Sequence, residues 1–243
     1  RKCYAASGLW RVRRGRSSAT VAEGMDSPFS LKHGEAELSA VRVSSTYFAT
    51  GQFVGEQMEI DDDGAATRLR HMGRNSAKFY PEGYDGPVYW LPIQDGTKVD
   101  NKNWAKVRAR RDTFDLPTMQ VVMEVRETDP SAGEMAAFDL HLTSEGGVDG
   151  VPFQVVCAFE PGGILTTGSA HLQTPAGSSA VLREGEAVYR VGSDLIRLGP
   201  GACAHTMWHM HNSVDDPEHF RLLITLMSPV DYTLKIRTER FSA

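Results

Sequence analysis

Cysteines are scarce in this sequence, and long apolar runs and convincing helical periodicity are missing; each lack removes a class of protein. Cys3, Cys157 and Cys203 are its only cysteines among 243 residues, and no two form a CxxC pair. That excludes a disulfide-stapled scaffold and leaves room for one disulfide at most. Cys157, inside the apolar run "FQVVCAF", is expected to be a buried, inert thiol. No apolar stretch approaches the roughly 18 residues that a spanning helix needs, so a soluble chain with no membrane partner is expected. Also missing are the GxSxG nucleophile elbow, the GxxxxGK phosphate loop, the HExxH zinc helix and the dinucleotide fingerprint.

Acidic residues are absent from the start of the chain. Arg1, Lys2, Arg11, Arg13, Arg14 and Arg16 all precede the first acid, Glu23. Setting those six aside from the 26 basic residues leaves 20 against 31 acids. So acidic a body repels a polyanion over much of its surface, and nucleic acid is not an expected partner. Residues 1–23 read as a basic N-terminal segment, the fragmentary or processed start of a larger polypeptide, and 24–243 as a single β-sandwich domain. The arginine- and serine-rich, acid-poor start also has the composition of a transit peptide.

What the sequence does contain is alternation. At 41% hydrophobic and 23% charged residues, the chain has an ordinary globular composition and can bury a core. Period-two patterns run through 36–49, 119–127, 136–144, 152–160, 187–199, 221–228 and 232–241, separated by "DDDG", "EGGVDG", "EPGG", "TPAGSS" and "REGE". Within 187–199 the triplet Gly192-Ser193-Asp194 predicts a hairpin. Strand and turn alternating in this way, with no amphipathic helices between them, predict an all-β fold. The expected architecture is an antiparallel β-sandwich of many strands with at most one or two short helices, one of them over Asn101 to Arg111.

Two stretches concentrate chemistry. "GPGACAHTMWHMHNS" (199–213) reads as a strand, on which His205, Met207, His209 and His211 share one face while Thr206, Trp208, Met210 and Asn212 share the other. The histidines suit hydrogen-bonding or catalytic roles, or plain packing. Alternatively the HxH pair His209 and His211, joined by His205, grips a divalent metal. "PGACAHTMWHMHN" resembles the proline-glycine-histidine element of cupins, although HxH here follows the Pro-Gly turn directly and the nearest acids, Asp215 and Asp216, stand beside a proline. The second stretch, "AKFYPEGYDGPVYWLPIQDG" (77–96), is an aromatic excursion. Tyr80, Tyr84, Tyr89 and Trp90, with Trp104 beyond it, are suited to stacking on sugar rings, and Asp85, Asn101, Asn103 and Arg108 to orienting polar groups. The same aromatics would equally plug one end of a sandwich. The run "KVRARR" (106–111) offers arginines to uronates or sulfates, or simply forms a solvated face. Both stretches are expected to border a common hollow.

Taken in order, "YDGPVYWLPI", "FDLHLTSEGGVDGVPFQVVCAFEPGG" and "AVYRVGSDLIRLGPGACAHTMWHMHNS" resemble the β-sandwich module of bacterial heparinase II/III-like polysaccharide lyases. The resemblance implies an upstream helical domain or partner chain, a periplasmic or secreted location, and a polysaccharide or oligosaccharide ligand. It implies β-elimination at a uronic acid, with a tyrosine or histidine as base. If the sandwich contributes, His205, His209, His211, Tyr84 and Tyr89 are the catalytic candidates, with no cofactor. Three functions are therefore expected to compete. They are a carbohydrate-binding or carbohydrate-processing sandwich, a metal-dependent cupin-type enzyme, and a lipocalin-like or sandwich scaffold holding a small molecule.

Overall fold

A computed structural model describes residues 1–47, 51–72, 88–90, 97–98, 100, 102–103, 106–107, 110–210 and 215–241. In chain order its strands are β1 (Lys2–Tyr4), β2 (Leu9–Arg14), β3 (Ser17–Ala22), β4 (Phe29–His33), β5 (Ala36–Ser45), β6 (Glu56–Ile60) and β7 (Ala66–Met72). There follow β8 (Val88–Trp90), β9 (Thr113–Asp115), β10 (Met119–Thr128), β11 (Glu134–Gly146), β12 (Pro152–Phe159) and β13 (Ile164–Thr167). The last are β14 (His171–Gln173), β15 (Ser179–Val181), β16 (Ala187–Val191), β17 (Asp194–Gly199), β18 (Phe220–Met227) and β19 (Asp231–Arg240). One 3-10 turn, η1 (Ala5–Ser7), links β1 to β2. Of the helix expected over Asn101 to Arg111, residues 101, 104, 105, 108 and 109 lie outside the described residues; Lys106 and Val107 are helical, and the Val107 N–H bonds to the Asn103 carbonyl at 2.9 Å.

The strands form two large, mostly antiparallel sheets, as the alternation predicts. The first runs β1-β2-β3-β4-β5-β12-β18-β15 and the second β14-β13-β16-β17-β19-β11-β10-β7-β6. Alternation decides which side chains meet between them. From the first sheet come Trp10, Val12, Val21, Phe29, Val41, Val43, Phe153, Val155 and Ile224, and from the second Leu69, Val121, Met123, Phe138, Leu140, Ile196 and Ile236, all buried in one core. Phe29 and Phe138 cross the layers edge to face with ring centres 6.0 Å apart. Cys157 lies fully buried among them, and burial pushes its thiol up to about 12.

The basic start belongs to this core, not to a segment ahead of it. On β2 the alternation in "LWRVRR" turns Trp10 and Val12 inward and Arg11 and Arg13 outward. The Trp10 indole N–H reaches across to the carbonyl of Gly64, in the β6–β7 turn, at 3.0 Å. Gly15 begins the tight β2–β3 turn at φ 53°, as Gly192 does between β16 and β17 at φ 58°. Glycine takes that left-handed position without the Cβ penalty.

A buried polar seam ties the sheets together. The Ser17 hydroxyl lies 2.8 Å from His33 Nδ1 and 2.9 Å from Thr238 Oγ1, while His33 Nε2 lies 3.0 Å from the Glu239 carbonyl. A carbonyl only accepts, so Nε2 carries the proton and Nδ1 accepts from Ser17. Burial depresses the His33 pKa, which keeps the ring neutral. Beside it, the Asp194 carboxylate on β17 is 2% exposed and receives Arg16 Nη2 at 2.8 Å and the Glu35 N–H at 2.9 Å. Burial alone would push this carboxyl up, but those two donors outweigh burial and hold it below its ordinary value. Gly34, at φ 57°, is required here because a Cβ would stand 2.0 Å from Asp194 Oδ2.

Outside the first sheet lies a third, irregular layer. Over its described residues, 200–210, the stretch read as a histidine-bearing strand is not one. Cys203 makes a single bridge to Thr225, and the chain then leaves the ladder. β18 pairs with β12 along one edge; on the other, β15 takes Arg221 to Leu223 and residues 202–204 take Thr225, after which the chain folds over the sheet's outer face. Gln154, which points away from the core, donates from Nε2 to the carbonyls of Met207 at 3.4 Å and Trp208 at 3.2 Å. Arg42, also outward, holds Asp216 at 2.7 Å. Under this cover Gln154, Thr225 and Ser44 are buried, and so is Met210 of the cover itself.

Candidate functional site

The predicted site residues fare unevenly. His211, Tyr80, Tyr84, Asp85, Asn101, Trp104 and Arg108 lie outside the described residues, and so does any hollow between them and the histidine segment. Tyr89 and Trp90 occupy β8, which pairs with β9 as a separate two-stranded sheet, Tyr89 opposite Phe114 and Trp90 opposite Thr113. Asn103 spends its amide locally, donating to the Lys98 carbonyl at 2.8 Å and accepting from the Asp100 N–H at 2.9 Å.

His205 is half-buried, and both of its ring nitrogens are engaged. Nε2 donates to the Phe153 carbonyl at 2.8 Å, and Nδ1 accepts the Met207 N–H at 3.2 Å. A ring bonded on both sides offers no free lone pair to a metal and no free nitrogen to a substrate. It pins the cover to β12. His209 is exposed on that cover, and without a regular strand the period-two argument that aligned it with His205 fails. Among the described residues no three His, Cys, Asp or Glu side chains group as metal ligands.

Other clusters are also structural. Ser17, His33 and Asp194 have the residue types of a nucleophile, a base and an orienting acid, but all are buried, and His33 directs its proton to a backbone carbonyl. Between the sheets, Val41, Val43, Met123, Leu140, Leu142, Val155, Tyr232 and Leu234 enclose a space of about 10 Å³, room for about one water and not for a ligand. A surface depression of about 470 Å³ beside β6 is lined by Glu59, Asp61, Asp62 and Asp63 with Arg68. Another of about 690 Å³ is lined by Thr167, Ser169, Arg183, Glu184 and Glu186.

The groove with unmatched chemistry lies on β1, β2 and β3. About 340 Å³ in volume, it is lined by Arg1, Lys2, Tyr4, Arg11, Val12, Arg13 and Ser18. Its cations separate into two kinds. Arg1 is held by the Glu127 carboxylate, which also takes Arg14, a residue outside the lining, through Nε at 2.6 Å. Lys2, Arg11 and Arg13 have no acidic partner within 4.0 Å among the described residues. Lys2 and Arg11 are also register partners across β1 and β2, the placement in which like charges repel most. Arg13 follows Arg11 on the same face, one pleat along the strand. Tyr4, 46% exposed, stands at one end.

Sequence reasoning placed these cations in a separate tail and so missed the groove. The signal was present in "GLWRVRRG", where Trp and Val alternate with Arg as they must on a half-buried strand. Comparison with known proteins adds nothing to the geometry: no protein family, curated protein or solved structure matches this chain.

Proposed function

We propose that this chain is a carbohydrate-binding β-sandwich that takes an acidic glycan, bearing uronates or sulfates, in the groove of β1–β3. It would act as a binding module of a polysaccharide-degrading enzyme of lyase type. One observation carries the reading: Lys2 opposes Arg11 on an exposed rung, with Arg13 beside them and, among the described residues, no acid paired with any of the three. An arrangement that costs stability is consistent with a site for an external anion. Arginine forks match carboxylate and sulfate oxygens bidentately, and the exposed Tyr4 ring offers a face for a sugar. The groove's lining otherwise holds only Arg1, which is paired with Glu127, Val12 and Ser18, a composition for holding a ligand more than for turning it over.

The test is binding of polygalacturonate, heparin and neutral dextran by calorimetry at several salt concentrations, with duplex DNA as a control polyanion. The acidic glycans are expected to bind with an affinity that falls as salt rises, because bound counterions are released; dextran and DNA are expected not to bind. Replacing Arg11 and Arg13 together with alanine should weaken binding about tenfold, or ~1.4 kcal/mol, as for two exposed charge contacts. Equal binding of dextran and polygalacturonate, or an unchanged affinity in the double variant, overturns the proposal.

A further inference from the structure

The clearest titratable cluster outside the groove lies where the cover returns to the first sheet. His219 stands between two carboxylates. Its Nδ1 is 2.7 Å from Asp216 Oδ1, and its Nε2 is 3.2 Å from Glu160 Oε1, at the end of β12. Asp216 is buried, accepts the His219 backbone N–H at 3.2 Å, and is held from β5 by Arg42 at 2.7 Å. Glu160 is half-exposed and accepts the Ser39 hydroxyl at 2.8 Å. The remaining charges nearby are Lys32, which is paired with Glu37 and lies within electrostatic reach of Glu160, and Arg221 on β18, which follows His219 by two residues. Asp215 and Glu218 flank the turn in sequence.

We propose that Glu160, His219 and Asp216 form a proton-operated clasp that closes the end of the cover onto the first sheet while the imidazole carries both protons. Only a doubly protonated ring donates to two carboxylates at once. When it loses a proton, one carboxylate faces a lone pair instead of an N–H. Asp216 keeps Arg42 and a backbone donor, whereas Glu160 can turn to water, so the Glu160 limb opens and the 216–219 turn is freed from β12.

The electrostatics agree with this geometry. Burial pulls the His219 imidazole down, but the two carboxylates outweigh burial and raise it above its ordinary value. For Asp216 burial works upward, and the bonds from His219 and Arg42 overcome it, pushing the carboxyl down to about 2. A group raised on folding stabilises the fold fully below its unfolded value, and that stabilisation is lost as pH rises through the folded value. The clasp is therefore closed in acid and opens on the alkaline side of the ordinary histidine value of 6.5.

An NMR titration of the His219 ring and hydrogen exchange of the 216–220 amides at several pH values test this. Expected are a midpoint above 6.5 and a loss of amide protection across it. Corrected for intrinsic rates, that loss should be about tenfold per unit of raised midpoint. Glu160→Gln, on the exposed limb, should lower the midpoint and flatten the exchange profile while the protein stays folded. His219→Gln should remove the pH dependence altogether. A wild-type midpoint at or below 6.5, or exchange at 216–220 that ignores pH, overturns the clasp. None of these readouts involves glycan, so the clasp and the groove stand or fall separately.

Discussion

Arg16→Ala is expected to behave as a core mutation although the arginine looks like a surface residue. Its side chain is 49% exposed, while its partner Asp194 is 2% exposed. Asp194 Oδ2 takes both donors, Arg16 and the Glu35 N–H, and the buried Oδ1 has no hydrogen-bond donor, with His33 Nε2 at 3.8 Å. Removing Arg16 leaves a buried carboxylate with a single backbone donor. Unpairing a buried charge costs about 3–5 kcal/mol, and the surviving donor puts this case near 3. In a chain of this length that lowers the melting temperature by roughly 6–12 °C. Asp194→Ala should cost less, about 1 kcal/mol, since the stranded Arg16 can rehydrate and only the Glu35 N–H loses its acceptor. Urea unfolding followed by tryptophan fluorescence on wild type, both single variants and the double variant measures the asymmetry. The double variant is expected to match Asp194→Ala, because Arg16 has no buried charge left to neutralise. The pH dependence has a definite sign. The Asp194 carboxyl is held below its ordinary value, so its contribution is present at neutral pH and is lost as pH falls through the lowered value. Stability of Arg16→Ala within about 0.5 kcal/mol of wild type, or simple additivity of the two single changes, would refute the argument.

Three further outcomes follow from the packing. Trp10→Ala, in the segment that reads as a basic tail, should cost about 3–5 kcal/mol in the same unfolding assay, since the ring is fully buried and its N–H bonded. An effect below about 1 kcal/mol would mean that β2 is dispensable. Gln154→Ala should raise hydrogen exchange across 203–210 with a loss of only about 1–2 kcal/mol in global stability, because it unties the cover and leaves the core intact. Native protein treated with a chromogenic thiol reagent at about pH 8 should react at Cys3 and not at Cys157, whose thiol is buried and pushed up to about 12.

The fold was legible wherever one strand face packs and the other meets solvent. β10 alternates buried and half-buried residues over its whole length, so its pattern is close to a direct record of its environment. β12 is buried on both faces, and its apolar run identified it as a strand without revealing what covered its outer side. At the N-terminus, β2 and β3 alternate as regularly, but the outward positions of β2 are arginines, so the segment has the composition of a charged tail. The histidine stretch failed in the opposite sense. Its period suited a strand, but Cys203 makes only a single bridge to the β18 edge, at Thr225 beyond β15, and the described residues after it lie over the sheet's outer face. Edge occupancy is a property of the whole topology that no local pattern encodes. The groove was invisible for a related reason: the mutual opposition of Lys2 and Arg11 exists only once β1 pairs with β2.

The seam at Ser17 has a consequence for how the molecule is made. Its hydroxyl meets Thr238 across 221 positions of chain, and Arg16 meets Asp194 across 178. On a ribosome the first hairpins emerge long before the strands that carry Asp194 and Thr238, so the Ser17 seam stays open until late in synthesis. Contacts so distant along the chain make folding slow, and nascent chains sticky in the interval. The two sheets are locked to each other only when the strand carrying Thr238 arrives to meet the one carrying Ser17.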